Sequence, residues 1–295
     1  MSILNAKTVY RRGADKVRII TDSAADFEPW ELMEMRIQCI PLTVIFGDTE
    51  YHENENLTKE EFYSKMRASD GFPKTSQPSP QILMDLFGEA VEQGDEAIYL
   101  TISSALSGVY QSAVLGKRLV DSEDCFVVDS RNATGGQRIL VQEAVKLRDQ
   151  GKTAEQIAAG VKEIRDRIVL YACMDTLEYL YLGGRISHTT YKLGTLANIK
   201  PIFTVDSEGR VQVPAKAMGM RKGMDFLCKR HLTQAPDTDY PFYVMYTNNR
   251  EVAQTLVKRL EEAGISVPEE QIIQVGAAIG SHIGPEACGL VYVRK

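Results

Sequence analysis

Four short segments of this sequence carry side chains able to do chemistry. Ser103-Ser104-Ala105-Leu106-Ser107-Gly108 follows an apolar run and precedes a helical pattern over Val109–Val120. Ser107 would stand at a helix N-terminus, where free N–H groups and the helix dipole favour an anion. A plain capping role explains the same serine, and Leu106 would offer an apolar wall beside it. Lys74-Thr75-Ser76-Gln77-Pro78-Ser79-Pro80 ends in a serine N-cap with proline at the first helical position, opening a helix over Gln81–Gln93. That accounts for Ser79 and Pro80. It leaves the hydroxyls of Thr75 and Ser76 for a neutral or anionic head group, with an ordinary capped loop as the alternative.

In Gly183-Gly184-Arg185-Ile186-Ser187, paired glycines permit a sharp reversal and close backbone approach. Arg185 could pair with a carboxylate, although a helix C-cap explains the glycines equally well. In Gly280-Ser281-His282-Ile283-Gly284-Pro285, small neighbours leave room for an exposed His282 ring, with a structural histidine as the alternative. Two more strand ends finish in hydroxyls and carboxylates, Thr21-Asp22-Ser23 and Asp129-Ser130. In open α/β sheets ligands bind beyond the carboxyl ends of the strands, so these loops should converge on one crevice.

Several chemistries are excluded. There is no Walker A sequence, no GxGxxG after the first strand, no GxSxG elbow and no HExxH. The four histidines lack metal-ligand spacing, and no cofactor is implied. No nucleophile stands beside an evident base, so a binder outranks a catalyst.

These segments need a frame to hold them. Lys16–Thr21 reads as a buried strand, followed by a helical stretch from Pro29. Gln38–Phe46 is a second strand with an edge or bulge at Pro41, and Asp48–Asn56 is polar loop. Thr58 with Glu61 forms a capping box. Ala97–Ile102 and Cys125–Val128 are strands leading to helices at Val109–Val120 and Gln137–Gln150, the alternation of parallel βαβ units. Thr153 caps a helix over Ala154–Arg167. Beyond Ile168 the texture changes: strands at Ile168–Met174 and Ile199–Val205, a short helix at Asp175–Leu182, and a hairpin around Asp206-Ser207-Glu208-Gly209. Strands at Pro241–Thr247, Gln271–Val275 and Leu290–Arg294 and a helix at Glu251–Ala263 complete it. The expectation is an α/β chain with a polar tail at 1–15, an N-terminal parallel-sheet domain at 16–165 and a C-terminal α/β domain with antiparallel pairing at 166–295.

Bulk properties agree with a soluble binder. The 295 residues are 44% hydrophobic and 25% charged, and 40 acidic against 34 basic side chains give a charge of −6. That balance argues against a nucleic-acid binder, which needs a basic stripe to neutralise phosphates. No apolar run approaches the roughly 18 residues of a membrane span, and no signal-peptide core stands at the N-terminus. Five scattered cysteines without a CxxC pair read as reduced thiols, so the expected compartment is the cytoplasm, with no integral membrane association.

Taken in order, the motifs resemble the DegV family, bacterial fatty-acid-binding proteins that include carrier subunits of fatty acid kinase. The resemblance runs from about Val17 to Tyr292. It rests on Ile20-Thr21-Asp22-Ser23-Ala24-Ala25-Asp26, Thr75-Ser76-Gln77-Pro78-Ser79 and the run from Ser104 to Ala113. Leu177-Glu178-Tyr179-Leu180 with Gly183–Ser187, Asn198-Ile199-Lys200-Pro201 and His282-Ile283-Gly284-Pro285 continue it. Each block alone is weak; six in order are specific.

The resemblance implies two α/β domains with a lipid tunnel between and within them, burying one long-chain fatty acid. The family holds the carboxyl with the threonine of the TSQPS turn and the second serine of the SxLSG loop, which are Thr75 and Ser107 here. Ser76, Asp22, Ser23, Arg185 and His282 would form the head-group or partner region. A separate kinase subunit would bring ATP and form the acyl phosphate, placing the chain in phospholipid metabolism as a non-enzymatic carrier. The sequence departs from the family in three places. Val109 stands for the usual threonine, Glu286 for a glycine, and Met218 in Lys216-Ala217-Met218 for an arginine. The Met218 change touches the kinase partnership rather than lipid binding; Arg221 would lie on a similar face if this stretch is helical. The alternatives are a serine-dependent acyl hydrolase or transferase using Ser107, its oxyanion held at the helix N-terminus, and a lipid-binding interaction protein not coupled to a kinase. A chain of roughly sixteen carbons at about 0.8 kcal/mol per methylene offers on the order of 12 kcal/mol before ordering costs, so the apolar tunnel would dominate affinity.

Overall fold

A computed structural model describes residues 16–69, 71–192 and 198–295; the tail at 1–15 lies outside the described residues. The first elements are β1 (Val17–Asp22), α1 (Pro29–Glu34), β2 (Ile37–Ile40), β3 (Thr43–Phe46), β4 (Thr49–His52), α2 (Lys59–Ala68) and β5 (Lys74–Ser76). Next come α3 (Pro80–Glu92), β6 (Glu96–Thr101), α4 (Val109–Val120), β7 (Cys125–Asp129), α5 (Thr134–Asp149) and α6 (Ala154–Arg165). Then follow β8 (Ile168–Met174), α7 (Glu178–Leu182), α8 (His188–Lys192), β9 (Ile199–Val205), β10 (Val211–Met218) and α9 (Gly219–Thr233). The chain closes with β11 (Tyr243–Tyr246), α10 (Arg250–Glu262), β12 (Ile272–Gln274), α11 (Ala277–Ile283) and β13 (Ala287–Val293).

The strands form three sheets. The first is parallel, in the order β2-β1-β6-β7. All six residues of β1 are buried because helices cover both faces, as parallel sheets require. Strand pleating sends Ile20 and Tyr99 toward Leu83, Phe87 and Ala113 of α3 and α4, and Ile19 and Ile98 toward Ile139 and Leu140 of α5. The second sheet runs β10-β9-β8-β13-β11-β12 and is antiparallel except for β11 with β12. Its far face packs on α9 and α10 through Leu227, Val244, Leu256 and Leu290. Its near face, with Leu170, Ala172, Phe203, Met245 and Val291, belongs to the apolar cluster that also holds α5 and α6. That one cluster crosses the division drawn from sequence near residue 165.

The third sheet, β4-β3-β5, is antiparallel and is a correction to the sequence reading. Gln38–Phe46 is not one strand. Pro41 has no N–H to donate, the ladder stops there, and the two halves enter different sheets. The polar run after Asp48 is not all loop, since Thr49–His52 pairs with β3 through a turn at Gly47 (φ +59°). It looked like loop because β4 is an exposed edge that buries little beyond Tyr51, whose ring lies 6.1 Å from Phe46. Lys74–Ser76, read as part of a turn, is the other edge of this sheet, with Thr75 opposite Val44.

Two further local corrections matter for the site. Ser107 is not itself the N-cap of α4. Gly108 is, and the Ser107 hydroxyl accepts the Val109 N–H at 3.4 Å. Met218 ends β10 in extended geometry (φ −84°, ψ 94°) and is 54% exposed, so Met218 and Arg221 do not share a helical face.

Candidate functional site

A cavity of about 320 Å³ lies between the carboxyl end of the parallel sheet and the near face of the second sheet. That volume falls at the lower end of the roughly 300–1,000 Å³ usual for small-molecule sites. Its apolar wall comes from Leu170, Ala172, Phe203, Val205, Val211 and Met245. Thr75, Ser76, Ser107, Arg185 and His282 line the same cavity, so five of the seven residues expected around a head group meet there.

Direct contacts join the four segments that carry them into a ring. The Thr75 Oγ1 lies 2.9 Å from His282 Nε2. The other side of the His282 ring faces Gly183 so closely that a Cβ on Gly183 would overlap Nδ1. Arg185 Nε donates to the Leu106 carbonyl at 2.9 Å, and its Nη1 donates to the Gly183 carbonyl. Ser107 follows Leu106, and Gln77 lies against Gly108 while donating from Nε2 to Ser112 Oγ at 2.9 Å. Gln77 in turn stands two residues from Thr75. Sequence reasoning gave Gln77 no task, although it sat inside a block already singled out.

His282 is carried by α11, a helix missed because Ala277–Ile283 is short and glycine-containing. Phe72 and Tyr179 flank it, the Phe72 ring at 6.1 Å from the imidazole and 6.0 Å from Tyr179. Gly284 closes the helix at φ +82°, ψ 176°, a region essentially reserved for glycine, and a Cβ there would lie 2.6 Å from Tyr179 Cδ2. Burial pushes the imidazole down to about 3, and the nearby Arg185 charge adds to the shift. His282 is therefore neutral at ordinary pH. Because its folded value lies below the usual 6.5, this group destabilises the fold progressively as pH drops from 6.5 toward 3. An NMR titration of the His282 ring is expected to stay flat from about pH 8 to about pH 4, where an exposed histidine would titrate near 6.5.

The Nδ1 of His282 is buried without a hydrogen-bond partner among the described residues. Unpaired buried N–H groups are rarer than unpaired acceptors, which favours the tautomer with the proton on Nε2. In that tautomer Nε2–H donates to Thr75 Oγ1 and leaves the threonine O–H to donate into the cavity. Arg185 is half-buried, which lowers its pKa without discharging it, and its two hydrogen bonds go to carbonyls. Among the described residues no carboxylate neutralises it. The site thus offers hydroxyl donors beside one cation, an arrangement suited to an anion.

Asp22 and Ser23 were expected in this region and do not line the cavity. Asp22 is fully buried, and its carboxylate accepts from the Ile102 N–H at 2.9 Å, the Ala24 N–H at 3.2 Å and Gln137 Nε2 at 3.1 Å. Burial raises its carboxyl to about 6 against these bonds. Ser23 donates to Glu53 at 2.7 Å and accepts from the Leu42 N–H at 3.0 Å. Both hold the loops that bear the site. The hydrolase arrangement is likewise not assembled, because His282 engages Thr75 rather than Ser107. Among the described residues no group of three or more His, Cys, Asp or Glu side chains is placed for a metal, and no helix is long and apolar enough to cross a membrane.

The model of a family described as an uncharacterised protein, DegV family, matches residues 16–295. The chain belongs to the DegV family. A DegV domain-containing protein of Clostridium perfringens is 33% identical over 276 residues, covering 91% of this chain and 94% of the relative. Another, from Caldanaerobacter subterraneus, is 31% identical over 282 residues, 95% of this chain and all (100%) of the relative. Among solved structures, a fatty-acid-binding DegV family protein from Thermus thermophilus superposes with a TM-score of 0.84 at 30% identity, over 95% of this chain and 99% of that one. A stearic-acid-binding protein from Eubacterium ventriosum gives 0.85 at 26% identity, over 96% and 99%. The α/β fold with its parallel and mixed sheets is therefore the DegV fold, one whose solved members include fatty-acid-binding proteins.

Proposed function

We propose that this chain binds one long-chain fatty acid, with the acyl chain along the apolar wall of the cavity and the carboxylate at Thr75 and Ser107. The observation that carries this reading is the ring of contacts placing two hydroxyls, a neutral histidine and an unneutralised arginine at one cavity. Fatty acid binding by the Thermus thermophilus and Eubacterium ventriosum relatives supports it. Thr75, its hydroxyl turned outward by His282, donates to one carboxylate oxygen and Ser107 to the other. Arg185 offsets the charge that burial would otherwise make costly. Ser76 borders the head group. Among the described residues the cysteines form no disulfide, which fits residence in the cytoplasm, where thiols stay reduced.

In the same reading the chain presents its bound acid to a separate fatty acid kinase subunit. The carboxylate oxygen attacks the γ-phosphorus of ATP, the bond to ADP breaks, and acyl phosphate forms on the carrier. The motif resemblance supports this step, and the exposed Met218 stands where carriers commonly have arginine. Reconstitution with a purified kinase catalytic subunit, ATP and the loaded chain is expected to yield acyl phosphate, read by trapping with hydroxylamine. A loaded chain that yields none would make it a lipid-binding protein uncoupled from a kinase.

A further inference from the structure

Two buried carboxylates outside the cavity grip the helix that forms part of its wall. Glu53, just after β4, and Asp26, after β1, are each 2% exposed. Glu53 accepts the Ala277 N–H with one oxygen, and with the other the Ala278 N–H at 3.3 Å and the Ser23 hydroxyl at 2.7 Å. Asp26 accepts the Gly276 N–H at 2.8 Å. Tyr63 completes the grip, its hydroxyl donating to the Val275 carbonyl at 2.9 Å. The backbone approaches so closely that a Cβ on Gly276 would overlap Glu53 and lie 2.9 Å from Asp26. Three consecutive N–H groups opening α11 are thereby satisfied by side chains more than 200 residues away, 224 in the case of Glu53 and Ala277.

The far end of α11 carries His282, and Ala278, Ile279, His282 and Ile283 all line the cavity. The helix is two turns long, so the way its start is held bears directly on where the imidazole at its far end meets Thr75. We propose that Glu53 and Asp26 are positioning residues for the head-group end of the cavity, fixing His282 against Thr75 by clamping the start of α11. The proposal rests on the fatty acid reading for its effect on affinity, but the clamp itself can be observed without ligand.

Charge makes the clamp sensitive to pH. Glu53 is faced by Asp26 and Ser23 from the turn after β1, and by Lys59 and Tyr63 from α2. Arg138 of α5 reaches the Asp26 carbonyl at 3.2 Å, as does Lys59 Nζ at 3.3 Å. Burial pushes the Glu53 carboxyl up to about 7, with the Asp26 charge adding to it. Above that value the ionised carboxylate is a strong acceptor for three donors. As pH falls through it, the carboxyl takes up a proton, the clamp loosens, and affinity declines.

The test compares wild type with Glu53→Gln, which keeps the side-chain shape and removes the titration. In ligand-free protein, ring nitrogen NMR signals of His282, assigned by their loss in His282→Asn, are expected to shift in Glu53→Gln. Palmitic acid affinity should fall on the order of fivefold at about pH 8. Wild type should weaken toward the variant by about pH 6, while the variant should keep only the shallower dependence left by Asp26, whose carboxyl burial raises to about 6, and by the ligand's own protonation. A folded variant with unchanged His282 signals and unchanged affinity overturns the proposal, as does a lower melting temperature with both of these unchanged. If Glu53→Gln does not fold, Asp26→Asn read in the same way decides, and wild-type signals in it overturn the proposal. A wild type that does not bind palmitic acid sinks the fatty acid reading, while the His282 signals still decide the clamp.

Discussion

Replacing Thr75 and Ser107 together by alanine is expected to raise the dissociation constant for a long-chain fatty acid on the order of a hundredfold while the protein stays folded. Hydrogen bonds to a charged group are worth about 1.5–3 kcal/mol each. Two at the lower end total about 3 kcal/mol, on the order of a hundredfold at 25 °C. The effect exceeds that of either single change, because one hydroxyl can still hold one carboxylate oxygen. Thr75→Ala has a second consequence, leaving both ring nitrogens of His282 without a partner. Stability should fall by about 1–3 kcal/mol, the cost of leaving the buried Nε2–H of His282 unpaired, while the fold is kept because Thr75 sits on an edge strand and Ser107 in a loop, both only partly buried. Residual binding through the apolar chain remains, so the measured quantity is a ratio of dissociation constants, read by displacement of a fluorescent fatty acid. A folded double mutant with wild-type affinity would remove both residues from the head-group site.

The second large effect lies at the other side of the cavity. Ala172 stands on β8, paired with Phe203 on one neighbour and Gly289 on the other, and all three line the cavity. In Ala172→Phe the ring is expected to occupy the volume of about four methylenes of the ligand, at about 0.8 kcal/mol each. The loss is about 3 kcal/mol, on the order of a hundredfold in affinity for a chain of roughly sixteen carbons. It should shrink for shorter acids that end before position 172. The ligand-free variant should be at least as stable as wild type, because the ring enters existing empty space rather than displacing neighbours. Equal loss at every chain length would mean that the ring disturbs the head group instead of blocking the chain.

Much of this arrangement was legible in the sequence because it is local. The strands at β1, β6, β7, β8 and β9 announce themselves as short β-branched or apolar runs, and Thr58 and Thr153 cap their helices with the reciprocal bonds of a capping box. Thr75 and Ser76 stood out as hydroxyls left over once Ser79 and Pro80 had been assigned to a helix start. What stayed hidden depends on partners far along the chain. The small third sheet needs β3 to pair with β4 and β5, whose polar edges carry no hydrophobic alternation. Asp22 and Ser23 drew attention because they end a central strand, and only the fold shows their hydrogen bonds consumed by Ile102, Gln137, Leu42 and Glu53. The cavity wall was not legible: Leu170 with Ala172 and Phe203 with Val205 share strand faces by period-two spacing, but nothing local says that these faces meet a cavity. The grip of Glu53 on α11 has no sequence signal at all.

The central claim, that the cavity holds one long-chain fatty acid by its carboxylate, is tested most directly by mass spectrometry of lipid extracted from freshly purified protein. The Thr75→Ala/Ser107→Ala protein, purified in parallel, serves as the control. The account predicts about one long-chain fatty acid per wild-type chain and a clear reduction in the control. A wild type that is empty, and still empty after incubation with long-chain fatty acids, would contradict it.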